Sequence, residues 1–217
     1  MKHNYAKFKS LNIRSDQQKN DVTHFFSRHC VNPFAYFFYL LGCTPNQVTV
    51  VFILTGIIGA GFAFNGSFLI AYFLWRLHII IDMADGSVAR VTGMMSEYGD
   101  VLDKVGHHLV YPLYWVGILY ATDAIFQEPF LAIIFYAVAS SQWTAKHLVK
   151  DKSLRPQAKS IPKRIIANAM GVEGFIFGSL IYTIFDAVTV GQYLMLFLVT
   201  NTVLLTVKIY SLLLKGS

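Results

Sequence analysis

Residues 82–107 read DMADGSVARVTGMMSEYGDVLDKVGH, and this stretch decides the fold. Asp82 and Asp85 stand three apart, and Asp103 and His107 stand four apart. Each spacing puts its pair on one face of a helix. Between the pairs, Gly93 is a natural stop for one helix and Ser96 a natural cap for the next. The sequence before Asp82, SFLIAYFLWRLHIII from 67 to 81, is almost wholly apolar. The acids therefore stand on helices made for lipid, where charge is costly and marks function by default. Two such helices joined as a hairpin bring the two acidic faces together. Three converging carboxylates do not all stay ionised without a cation, because each charge disfavours the next. Hard oxygen ligands suit Mg2+ or Mn2+, and magnesium completes its shell with water and substrate phosphates.

Outward from this stretch, six segments are long and apolar enough to cross a bilayer as helices, which takes about 20 residues each. They cover 44–64, 67–91, 96–121, 129–149, 165–187 and 192–214. The first opens with Thr44 as N-cap and Pro45 at the first helical position. Ahead of it, residues 21–41 carry several Phe and Tyr beside Arg28 and His29, and Asn32-Pro33 breaks their apolar run. This segment is too short to span and reads as an amphipathic helix lying in the interface. The expected architecture is an all-α integral membrane protein. Residues 1–43 form a cytosolic N-terminal segment with the interfacial helix, and 44–217 form a six-helix transmembrane catalytic domain.

Composition agrees. Of 217 residues, 55% are hydrophobic and 14% charged, against about 25% charged in an ordinary soluble domain. The net charge of +6 comes from Lys and Arg before the first span and between the fourth and fifth, where Lys150, Lys152, Arg155, Lys159, Lys163 and Arg164 cluster. Connections on the opposite side carry none. This asymmetry puts both termini, and the acidic cluster, on the cytoplasmic side. Nucleic acid is not an expected partner, because no basic helix or aromatic–basic motif is present. Cys30 and Cys43 fit no metal-ligand spacing and read as small apolar fillers.

The stretch resembles the signature of the CDP-alcohol phosphotransferase (CDP-alcohol phosphatidyltransferase) family. Written out, that is Asp, two residues, Asp-Gly, two residues, Ala-Arg, eight residues, Gly, three residues, Asp, three residues, Asp. Asp82, Asp85, Gly86, Ala89, Arg90, Gly99 and Asp103 fill seven of the eight fixed positions, and His107 stands at the eighth. The resemblance implies an enzyme of phospholipid or related glycolipid biosynthesis. It would move a phosphoalcohol group from a CDP-alcohol donor to an acceptor hydroxyl, a small polar alcohol or a lipid, and release CMP. Asp82, Asp85, Asp103 and His107 would form the metal site, for one or two Mg2+ or Mn2+ ions. Asp82, Gly86, Ala89 and Arg90 would bind the CDP moiety, and His107, Asp103 and Arg90 would serve catalysis. The family often forms dimers, which makes a second copy of the chain a candidate partner.

The departure at His107 leaves several outcomes open. Imidazole is the commonest general base, yet a poorer Mg2+ ligand than carboxylate. One metal instead of two, a preference for Mn2+, a phosphohistidine step or lost activity would each follow from a different role. A homologue that binds nucleotide or lipid without turnover, and a cation-binding transporter, are the alternative classes. Elsewhere, His78 lies one turn from Asp82 on the same face. Glu173 is placed to bind acceptor hydroxyls or to pair with Arg76. Lys146, His147 and Lys150 meet phosphate or simply mark the cytoplasmic side, and Lys208 reaches back to that surface. Gly56 and Ala60 have the small-xxx-small spacing of close helix packing.

Overall fold

A computed structural model describes residues 3–12 and 27–123, together with the helical positions 126, 129, 130, 133 and 162. The segments read as the fifth and sixth spans, most of the fourth, and Glu173, Lys146, His147, Lys150 and Lys208 lie outside the described residues. The described residues hold α1 (Tyr5–Leu11), α2 (Ser27–Leu41), α3 (Pro45–Phe64), α4 (Phe68–Thr92) and α5 (Glu97–Ala121).

Local chemistry sets most of their limits. Thr44 closes a full capping box: its hydroxyl accepts from the Gln47 N–H, and the Gln47 side chain accepts from the Thr44 N–H. Pro45 supplies no N–H where none is needed. At the far end of α3, Gly66 adopts φ 69°. The Gly66 and Ser67 N–H groups then reach back to the Ala63 and Phe62 carbonyls, a Schellman ending that only a left-handed residue permits. Gly93 ends α4 in the same conformation, and the Ser96 hydroxyl accepts from the Gly99 N–H to start α5. α2 runs unbroken through Pro33, where the apolar run of the sequence is interrupted.

The acidic faces of α4 and α5 do meet, but not as a simple hairpin. α3 packs along both helices, and the small residues on it decide how closely. A Cβ on Gly56 would lie 2.8 Å from His78 Nδ1 and closer still to Val110. A Cβ on Gly117 would lie 3.1 Å from the Ala60 carbonyl, so α3 and α5 approach nearly backbone to backbone at that level. α4 and α5 meet through large rings: the Trp75 ring lies 4.8 Å from Tyr111 and 4.0 Å from Tyr114.

The buried side chains fall into two clusters. One centres on Trp75, Tyr111, Tyr114 and Ile118 against Ala60 and Ala63. The other gathers Phe8, Val31, Ala35, Phe52, Ala84 and Val88 from α1 to α4. Ile53 and Met83 border both. α3 is long and apolar enough to cross a membrane, the one such helix among the described residues. α4 and α5, at 25 residues each, have the length but carry the charged positions.

Candidate functional site

The site forms where the two clusters touch. The His107 ring lies 5.4 Å from Phe52 of one cluster and 5.3 Å from Tyr111 of the other. This packing orients Nε2 towards the two carboxylate-bearing turns, 3.2 Å from Asp82 Oδ1 and 3.4 Å from Asp103 Oδ1. One Asp82 carboxylate oxygen, one from Asp103 and one His107 nitrogen all lie within 4.8 Å of one another. Asp103 Oδ1 is buried, and a buried carboxylate oxygen is expensive unless a cation or proton meets it; His107 Nε2 stands beside it at 3.4 Å. Two hard oxygen donors and an imidazole are a set that fits a divalent cation.

Asp85 stands apart from this trio. Its Oδ2 accepts a 2.7 Å hydrogen bond from the Thr49 hydroxyl, which also reaches the Pro45 carbonyl at 3.1 Å. Thr49 is in the first turns of α3, so the positive end of that helix dipole faces the acidic cluster. Asn46, in the same turn, lies against Gly99: a Cβ there would stand 3.0 Å from Asn46 Oδ1. The sequence reading missed Thr49 as a site residue. Its only signal was the TPNQVT helix start, which carries no mark of its partner.

Arg90 stretches back along α4. Its Nη2 donates to Ser87 Oγ at 3.0 Å and its Nε to Asn12 Oδ1 at 2.9 Å. Among the described residues, a Cβ on Gly86 would meet only Arg90 Nη1, at 3.4 Å, so the guanidinium lies over the glycine. Ala89 is half-buried beside it. His78 is fully buried and donates from Nδ1 to the Phe52 carbonyl at 2.8 Å. Its hydrogen bond is to α3, one turn deeper than the carboxylates, and its ring lies 5.9 Å from those of His107 and Tyr111 on α5. His108, next to His107, is exposed and bonds from Nδ1 to the Lys104 carbonyl. The two histidines therefore have separate surroundings.

Residues 43–214 match the family model for CDP-alcohol phosphatidyltransferase. The chain is 28% identical over 155 residues to an archaetidylinositol phosphate synthase of Pyrococcus horikoshii, covering 71% of this chain and 76% of that protein. Its fold is similar to the crystal structure of the Mycobacterium tuberculosis phosphatidylinositol phosphate synthase with CDP-DAG bound. The TM-score is 0.53 at 23% identity, over 79% of this chain and 88% of that one.

Proposed function

The chain belongs to the CDP-alcohol phosphatidyltransferase family, and from that premise we propose how its own residues perform the reaction. The enzyme is an integral membrane transferase of that class, moving a phosphoalcohol group from a CDP-alcohol to an acceptor hydroxyl with release of CMP. Asp82, Asp85 and Asp103 would hold Mg2+ or Mn2+. The observation that supports this is the convergence of Asp82, Asp103 and His107 within 4.8 Å. A divalent ion held there would supply positive charge for the diphosphate and for departing CMP. Arg90 binds phosphate with its planar fork, Gly86 and Ala89 leave room for the nucleotide, and Thr49 orients the Asp85 carboxylate. His107 would take the proton of the acceptor hydroxyl as that oxygen attacks phosphorus in line.

The same distances favour a second role for His107, as a nitrogen ligand to the ion, with Mn2+ preferred over Mg2+. The donor is a CDP-linked lipid, a reading supported by the CDP-DAG in the mycobacterial structure. The arrangement in the membrane follows from charge. Six spans, an interfacial α2, a cytoplasmic site and cytoplasmic termini are supported by the Lys and Arg distribution. Residues 1–43 and 44–217 are the corresponding divisions, and a homodimer is the expected assembly.

The test is CMP release by purified protein with a panel of CDP-alcohols and acceptors, in Mg2+ and in Mn2+. Asp85→Asn is expected to abolish release. His107→Ala is expected to lower kcat by roughly 10²–10⁴-fold with donor KM little changed, the usual share of a general base. Recovery of His107→Ala at high Mn2+ assigns His107 to the ion instead. Absence of acceptor-dependent CMP release from the wild type overturns the transfer reading.

A further inference from the structure

The N-terminal helix α1 lies outside the 43–214 stretch that matches the family model, yet it reaches the signature arginine. Asn12, which caps α1 through its own N–H to the Phe8 carbonyl, accepts from Arg90 Nε at 2.9 Å. Its Nδ2 donates to Asn32 Oδ1 of α2, also at 2.9 Å. The polarity of this chain of bonds has one solution. A guanidinium only donates, so the Asn12 oxygen must face it and the Asn12 amide nitrogen must face Asn32.

The helix that presents Asn12 is anchored independently. Phe8 is completely buried, with its ring 5.5 Å from Tyr36 and 5.2 Å from Tyr39. The His3 N–H donates to the Tyr39 hydroxyl at 3.0 Å, and the Tyr36 hydroxyl donates to the His3 carbonyl at 3.4 Å. α1 packs against α2 and α4, and α4 is the helix that carries Asp82, Asp85 and Arg90.

We infer that Asn12, held by Asn32, is a positioning residue that sets the Arg90 guanidinium over Gly86 before the donor diphosphate arrives. This rests on the reading of Arg90 as a phosphate-binding group. An arginine side chain has more rotamer freedom to lose than most when a ligand fixes it. Asn12 holds Nε and Ser87 holds Nη2, so the fold itself restricts that freedom. Preorganisation of this kind raises affinity without adding a contact to the ligand. It acts on donor binding, and the reacting atoms are untouched.

The test uses the full chain in detergent or nanodiscs, with CDP as the probe of affinity and CMP release as the probe of turnover. Asn12→Ala is expected to weaken CDP binding and raise donor KM by about tenfold, the scale of one hydrogen bond to a charged group, with kcat within about twofold. Asn12→Asp keeps an oxygen for Arg90 Nε and is expected to recover most of that loss. Asn32→Ala, which loosens Asn12 without touching Arg90, is expected to give a smaller loss, and it carries the test if Asn12→Ala fails to fold. Added to Arg90→Ala, Asn12→Ala is expected to change nothing further, because the group it orients is gone. An unchanged CDP affinity in Asn12→Ala or Asn32→Ala overturns the inference, as does an equal loss in the Arg90→Ala background. Wild type that binds CDP but releases no CMP defeats the transfer reading alone, while the CDP affinities still decide the role of Asn12. Wild type without affinity for CDP defeats both.

Discussion

The two ends of the α4–α5 contact are built from opposite materials. At one end Trp75 meets Tyr111 and Tyr114, ring on ring, with Trp75 fully buried. Seven residues further along α4, about 10 Å at the helical rise, Asp82 and Asp103 both meet His107. The aromatic end gains from every contact it makes, since large rings fill the gap between two helices that both lean on α3. The acidic end gathers like charges that an apolar surrounding disfavours. One end keeps the helices at a defined spacing, and the other uses that spacing to hold groups together against their mutual repulsion. Stability and function are thus separated along a single pair of helices.

That separation can be broken from either end. Asp82→Asn is expected to lower CMP release by roughly 10³–10⁴-fold, since it removes a charged ligand worth several kcal/mol in the transition state. Its thermal midpoint should stay within about 3 °C of wild type, because the lost contact with His107 is offset by one fewer negative charge. A large drop in melting temperature would show that the acidic end also holds the fold. Trp75→Ala is the converse and the next largest effect, expected to cost about 3–5 kcal/mol of stability. Its indole N–H has no hydrogen-bond partner among the described residues, so the loss is packing alone. Turnover per folded molecule should fall less than about tenfold, and a greater fall would mean the aromatic end tunes the site directly. The smallest effect sharpens the boundary between the two. Thr49→Val keeps the shape of a buried residue and removes the hydroxyl bonded to Asp85. One hydrogen bond to a charged group is worth about 1.5 kcal/mol, so about a tenfold rise in the metal concentration needed for half-maximal activity is expected. No change in that titration would mean Asp85 is held without Thr49.

Much of this was legible in residue order. Helix limits follow from side chains that act on their own neighbours: Thr44 with Gln47, Gly66 with Ala63, Ser96 with Gly99. The grouping of Asp82, Asp103 and His107 was also legible, because fixed spacings on two helices joined by a short loop leave few ways for the faces to lie. The helix read across Asn32-Pro33 runs on through Pro33 as α2, since tertiary packing of Val31, Ala35 and Phe38 outweighs one missing backbone donor. The hairpin expectation omitted α3, because apolar periodicity says which face is buried and never which helix covers it.

The sequence alone settled where α3, α4 and α5 begin and end, which faces of α4 and α5 carry acid, and which family the signature resembles, because capping and helical periodicity act within a few residues. Only the tertiary structure decided that Thr49 bonds Asp85, 36 residues away, and that Asn12 bonds Arg90, 78 residues away. Thr and Asn look alike wherever they occur in a chain. What singles these two out is the partner that packing brings beside them, and a sequence pattern does not contain that partner's position.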